Sequence, residues 1–328
     1  MPLKKNRKIN VAIVGGFSSI AKPLTQGFLS DSSYGKVVLI DSKNFGKKFT
    51  GVETEVVDLA DPAEEEKILQ ILERYEIDVV IHSAFREAPA RTAQLDHEIE
   101  TQGTISLLSA CSRKRIKKLI MMSSTLLYGA HPDNPQLISE SHPLRADRKV
   151  QFFADKIEAE HLVEEFAKGN PSITVSILRF CPIVGIDGEN IIIKLISNLW
   201  VPTIAGYDPP IQFVHQDDAV RAFNIFCTGD YPGIYNIVGH GFVPIKTAIR
   251  ILGNISIPLL EPVFEILAGG MFTFYLSPVP REIAPYLKYP FLADGEKVSR
   301  IAGYRATYTL REVLEDLHRF WLRKFVER

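Results

Sequence analysis

The run Ile9–Val14 is apolar and mostly β-branched, and it halts at a glycine pair, Gly15-Gly16. Phe17, Ser18 and Ser19 follow, and a helical pattern opens after them. Such a passage predicts a buried parallel strand, a tight turn and a helix N-terminus. A turn of this kind points backbone N–H groups and the positive end of a helix dipole at one spot, which suits a phosphate. Pro23 is compatible only with the first helical turn, so the helix is expected to start close to Ser18 or Ser19. The constraint extends to the whole chain, because a strand feeding a helix in this way belongs to a layered α/β sheet.

The sequence that follows meets this demand. Strands are expected at 36–41 (KVVLID), 54–58 (TEVVD), 78–83 (DVVIHS), 117–124 (KKLIMMSS) and 173–180 (ITVSILRF). Between them, 62–75 places Ile68, Leu69, Ile71 and Leu72 on one helical face, with Glu64, Glu65 and Glu66 in the first turn where acids suit the dipole. Further helices are expected over 91–113 and 150–168. Strands separated by helices imply a doubly wound parallel sheet, with its ligand at the strand C-termini. After Cys181-Pro182 the alternation loosens. A helix is expected over 190–200, and 212–214 and 233–238 read as short strands returning to the sheet. From Gly239 onward the chain is mostly helical and punctuated by proline. The expected division is a dinucleotide-type domain over 8–182, rejoined by 212–238, and a smaller lobe from 183–211 and 239–328.

The composition narrows the partners. Hydrophobic residues make up 46% and charged residues 23% of 328, with a net charge of -1, which argues against nucleic acid as a general partner. Lys4, Lys5, Arg7 and Lys8 read as a solvated tail. Cys111, Cys181 and Cys227 are odd in number and apolar in setting, so they read as reduced core thiols. With no apolar signal core at the N-terminus, a cytoplasmic location is expected.

Several segments, taken in order, resemble an extended short-chain dehydrogenase/reductase of the NAD-dependent epimerase/dehydratase family. They are the opening turn, Val79–Ala84, Gly103–Leu108, Ser123-Ser124-Thr125-Leu126-Leu127-Tyr128-Gly129, Gln212–Ala219, Gly233–Asn236, and Asp294–Arg300 with Gly303-Tyr304. Each is weak alone, but the ordered set spans nearly the whole chain. The resemblance implies a Rossmann-type fold, NAD as cofactor and a small-molecule substrate, either sugar-nucleotide-like or an apolar, lipid-like alcohol. It also implies a homodimer, formed through the helices near 91–113 and 150–168.

Asp41 ends the second strand about 20 residues beyond the turn, where an acid accepts hydrogen bonds from an adenosine ribose diol and repels a 2′-phosphate. NAD is therefore favoured over NADP. The resemblance places Gly15, Gly16, Ser18, Ser19 and Ile20 at the pyrophosphate turn. It puts Asp58 and Leu59 at the adenine edge, and Ser83, Ala84 and Phe85 along the pyrophosphate and nicotinamide ribose. Ser123, Phe180 and Pro182 complete the cofactor positions. The family's reaction centre is a Ser or Thr with a Tyr four residues before a Lys on one helix face. In that arrangement the ammonium lowers the phenol pKa and holds the ribose. Ser124 and Lys156 match two of the three, and the tyrosine position is Phe152.

Phe152 has no proton to give, and general acid/base catalysis is typically worth roughly 10²–10⁴-fold. Three readings stand open. The family reaction has been lost, leaving a dinucleotide-binding sensor or scaffold. Alternatively Tyr128, His131 or a water on Ser124 moves the proton. In the third reading the reaction needs no strong acid or base at that point. The phosphate turn departs too, since its three-glycine spacing falls on Gly15, Ser18 and Ala21, and Glu100 stands where the family has Asn. Ser18 would either crowd the pyrophosphate or donate a hydrogen bond to it.

His215 with Asp217 and Asp218 is expected to form a strand-to-helix corner capped by an acid, and no metal site is expected. Arg179, Lys194, Arg250 and Arg281 are the basic candidates for a diphosphate. The stretch 257–276 (IPLLEPVFEILAGGMFTFYL) is apolar but carries Pro258, Glu261, Pro262 and Glu265, which argues against a membrane span. It is expected to be a core helix pair, with an apolar wall for a lipid-like substrate, a partner or a membrane surface as the alternative.

Overall fold

Strand β1 (Ile9–Val14) sends successive side chains to opposite sides, and the two sides meet different cores. Val11 and Ile13 pack into one cluster with Leu24, Phe28 and Phe223. Ala12 and Val14 pack into the other, with Ile68, Leu72, Leu107 and Val163. A strand apolar on both faces must lie inside a sheet covered on both faces. The computed structural model shows that arrangement and describes residues 7–42, 51–85, 97–185, 190–274, 277 and 279–326.

The main sheet contains β2 (Tyr34–Asp41), β3 (Glu53–Val56), β4 (Val79–His82), β5 (Lys118–Ser124), β6 (Thr174–Phe180) and a later strand, Gly233–Ile237. Its order is Gly233–Ile237, β6, β5, β4, β1, β2, β3, and all pairings are parallel. This is a Rossmann-type sheet, and the reversal of strand order beside β1 opens a crevice at the strand C-termini. Helix α1 (Ala21–Ser30) covers one face. Helices α2 (Glu65–Arg74), α3 (Gly103–Lys114) and α4 (Gln151–Gly169) cover the other. Ile68, Leu69, Ile71 and Leu72 are buried as their spacing requires. A π-turn, Glu98–Gln102, runs into α3, and the earlier part of the helix expected from 91 lies outside the described residues.

Helix α1 begins later than the sequence suggests. Ser18 N–H donates to Gly15 O and Ala21 N–H to Ser18 O, so two successive tight turns absorb the serines before the helix opens. Its N-cap is Ile20, with no side-chain cap.

Beyond β6 come β7 (Ile183–Val184), α5 (Ile191–Ile196), β8 (Trp200–Ile204), β9 (Pro210–Ile211), β10 (Val214–His215) and α6 (Gln216–Thr228). The expected helix over 190–200 therefore stops at Ile196. The Asn198 side chain donates to the carbonyls of Lys194 and Leu195, closing the helix end, and Trp200 opens a strand. Gly233–Ile237 is β11 and returns to the main sheet, whereas 212–214 does not, because Val214 and His215 pair instead with Ile183 and Val184.

The lobe adds β12 (Val243–Pro244), α7 (Ile245–Ile251), β13 (Ile255–Leu259), α8 (Glu261–Thr273), α9 (Glu296–Ala302) and α10 (Leu310–Val326). Its core gathers Ile192, Ile196, Phe213, Ile249, Phe264 and Leu314, and Phe152 and Phe153 at the start of α4 belong to it. The stretch from Ile257 is not a core helix pair. It is the end of β13, paired with β8, followed by one helix that buries Phe264 and leans Ala268 on the core. Val263, Ile266, Leu267, Met271 and Phe274 form a stripe on its outer side, with Ile266 and Phe274 74% and 75% exposed. Glu261, on the inner side, pairs with Lys288 at 2.8 Å. Among the described residues no helix is long and apolar enough to cross a membrane.

Candidate active site

The C-terminal ends of β1, β2 and β4 meet at the glycine turn. Gly15 has φ +94°, and a Cβ there would lie 2.5 Å from Ala84 N and 2.6 Å from Ser83 C. The backbone after β4 thus lies flush on the turn, which only glycine allows. Gly15 and Gly16 N–H both donate to Ile40 O, fastening the turn to β2. Asp41, at the end of β2, accepts the Phe17 N–H through Oδ2 at 3.0 Å. Ser18 Oγ lies 3.1 Å from Ser83 Oγ, which itself donates to Val14 O. Ser19 lies half-buried beside it, but the Ile20 side chain is in the core, so only its backbone faces the turn. Asp58 Oδ1 accepts Ala60 N–H, and Leu59 is buried against Gly103.

Farther along the same edge, a cavity opens between β5, β6 and the first turn of α4. Its walls are mostly apolar: Phe85, Met122, Leu126, Leu127, Phe152 and Phe153. Phe180, Cys181 and Ile183 close its end, while Pro182 is not part of the lining. Ser124 faces the cavity and accepts Leu126 N–H at 3.2 Å, capping a short 3₁₀ turn, Thr125–Tyr128. That bond uses an oxygen lone pair and leaves the hydroxyl hydrogen to point elsewhere. Asn190 also lines the cavity while capping α5 through Ile192 N–H.

Lys156 projects into this space from α4, one helical turn beyond Phe152. Its Nζ lies 3.2 Å from Glu100 Oε1, 5.0 Å from the Phe85 ring centre and 4.9 Å from that of Phe152. Glu100 is fully buried. No sequence pattern links these two helices. The pairing arises only when α4 packs on the turn before α3, so the sequence marks Glu100 only as a departure from the family's Asn and gives no hint of its partner. His82 is buried beneath Phe85, and burial, reinforced by the Lys156 charge, lowers its pKa to about 3.

The alternative proton carriers face away. Tyr128 is fully buried, donates to Asn236 Oδ1 at 2.7 Å and accepts from Arg179 at 2.9 Å, and burial pushes its phenol up to about 12. His131 Nε2 lies 2.9 Å from Arg145 O. Ser123 is committed as well, donating to Glu160, which pairs with Arg179. Arg179 is therefore a structural cation rather than a diphosphate ligand, and Arg281 pairs with Glu282. His215 itself caps α6 by accepting Asp217 N–H, and its ring stacks on Tyr308. The expected acid is not the cap, because Asp218 instead holds the backbone N–H groups of Thr307 and Tyr308. Among the described residues no three His, Cys, Asp or Glu side chains gather as for a metal ion.

Residues 11–238, more than half of the chain, match the family described as NAD dependent epimerase/dehydratase. The chain belongs to that family. An uncharacterized protein of Mycobacterium tuberculosis is 24% identical over 318 residues, 94% of this chain and 83% of the relative. The fold is that of UDP-glucose 4-epimerase from Thermotoga maritima, solved with UDP-glucose. The TM-score is 0.75 at 17% identity, over 97% of this chain and 100% of that one. UDP-glucuronic acid 4-epimerase from Bacillus cereus, solved with UDP-glucuronic acid and NAD, gives a TM-score of 0.74 at 19% identity, over 96% and 100%.

The residues present fit the cofactor of this family. The Gly15 cradle would be filled by any Cβ, and the Asp41 carboxylate stands at the end of β2 beside it. Ser124 and Lys156 share the cavity at the other end of the same edge. Within the family's reaction centre, however, this chain offers a phenyl ring where the tyrosine is expected.

Proposed function

We propose that the protein binds NAD along the edge formed by β1, β2, β4 and β5 and uses it on an alcohol or carbonyl carbon held in the cavity beside Ser124. The observation that carries this reading is the convergence of the Gly15 turn, Asp41, Ser124 and Lys156 on one sheet edge. Asp41 would receive the adenosine ribose hydroxyls, and Lys156 would donate to the nicotinamide ribose. Bound NAD supplies a hydride acceptor. Ser124 Oγ–H orients the substrate oxygen, and the phenyl and thioether walls exclude water around it. Phe152 neither gives nor takes a proton, so proton exchange falls to the substrate oxygen's hydrogen-bonded neighbours.

The substrate is a sugar nucleotide, as in the solved relatives bearing UDP-glucose and UDP-glucuronic acid, or an alcohol with an apolar body. The apolar lining favours the second at the reacting end. A second reading, a dinucleotide sensor without turnover, is favoured by Phe152 and by the commitment of Tyr128 and His131 elsewhere. The two readings separate by titrating NAD and NADP and then assaying wild type and Phe152→Tyr with sugar nucleotides and apolar alcohols. Turnover by the wild type supports the enzyme reading, and turnover by Phe152→Tyr alone supports the sensor.

A further inference from the structure

Lys156 Nζ lies over two aromatic rings, 5.0 Å from the centre of Phe85 and 4.9 Å from that of Phe152. The rings come from separate elements. Phe152 stands in the first turn of α4, one turn before the lysine, and Phe85 follows β4. Each ring is braced in turn, Phe152 by Phe153 at 5.2 Å between centres and Phe85 by His82 at 4.4 Å. Phe85 also follows Ala84, whose backbone lies flush on Gly15, so its ring is anchored to the glycine turn itself. Lys156 is buried, and little water screens the attraction between its charge and the ring faces.

We propose that Phe85 and Phe152 are positioning residues, whose ring faces hold the Lys156 ammonium in place for the nicotinamide ribose. The inference rests on the reading that NAD binds this edge. An ammonium has three N–H donors, and Glu100 Oε1 lies 3.2 Å from this one. A ring attracts the cation through its quadrupole rather than through a directed lone pair, so it restrains the charge and leaves donors for ribose hydroxyls. A free lysine stem loses much rotamer freedom when its end is fixed. With the ammonium held before the cofactor arrives, binding does not have to supply that ordering. Position 152 thus has a role that needs a ring and no hydroxyl.

The test is a double-variant cycle read as NAD dissociation constants. Calorimetry is run on wild type, Phe152→Leu, Phe85→Leu and Lys156→Met, and on each leucine variant combined with Lys156→Met, with thermal melts establishing that each is folded. Leucine keeps an apolar side chain and removes the ring face. Each leucine variant is expected to weaken NAD about three- to tenfold while Lys156 is present, and by less than about twofold once it is replaced. Phe152→Tyr, which keeps a ring face, should stay within about threefold of wild type. A loss that needs the lysine cannot come from packing alone. The same cycle in urea, without NAD, should show coupling between ring and ammonium, and additive effects there overturn the proposal. So does either folded leucine variant that binds NAD as wild type does, or that weakens it equally with and without Lys156. Should Phe152→Leu fail to fold, Phe85→Leu decides, since Phe85 is half-buried and outside any helix or strand. Wild type that binds no NAD overturns the NAD reading itself, and this inference falls with it.

Discussion

At Gly15 a methyl group would meet the Ala84 nitrogen at 2.5 Å while the backbone holds φ +94°. Gly15→Ala is therefore expected to lose about 2–4 kcal/mol of stability in urea unfolding and to abolish NAD binding, because the turn and the strand behind it must part. Asp41 is more forgiving, since its half-buried carboxylate accepts from the Phe17 N–H and the Ser42 hydroxyl without being packed in the core. Asp41→Ala should leave the fold intact and weaken NAD about ten- to hundredfold, the worth of charge-assisted bonds to a ribose diol, while narrowing the preference over NADP. Both residues are legible from their place after a β-branched strand. Glu100 is legible only as an oddity, because its partner Lys156 is 56 residues away and the pairing is decided by helix packing. The roles of Tyr128 and Arg179 were hidden for a similar reason. A tyrosine after a serine-rich strand end reads as a reactive phenol until the buried Asn236 and Arg179 are seen to take its hydroxyl.

The strands and helices of the first half are the most legible elements, because two-sided burial leaves an uninterrupted apolar run that no loop can imitate. Elements of the lobe are less so. Helix α8 is apolar on almost every side, so periodicity could not say which face turns inward; Phe264 and Ala268 do, and Ile266 and Phe274 do not. Phe264→Ala should cost about 3–5 kcal/mol, whereas Ile266→Ser should stay within about 0.5 kcal/mol, a contrast that thermal or urea melts measure directly. The junction of β5, β6 and α4 is held by Glu160 with Arg179. Glu160→Gln leaves a buried guanidinium uncompensated and is expected to cost about 3–5 kcal/mol, whereas replacing both partners, with Arg179→Met, should cost less.

For the molecule as a whole, acid sensitivity has a buried source. His82 is held near pKa 3 in the folded protein against 6.5 when free, so the unfolded chain binds the extra proton first. Stability should therefore be fully present above about pH 6.5 and decline as pH falls toward 3. In His82→Gln this decline should be shallower, as urea midpoints between pH 4 and 7 would show. The sheet, its order and its crevice make the molecule a dinucleotide-binding frame, and the central claim is that this frame takes NAD with Phe152, which has no proton to give, at the position where the family resemblance places the tyrosine. Calorimetric titration of wild type with NAD and NADP tests it most directly. The account predicts saturable one-to-one binding of NAD, at least tenfold tighter than NADP and lost in Gly15→Ala; no binding of NAD by folded wild type would contradict it.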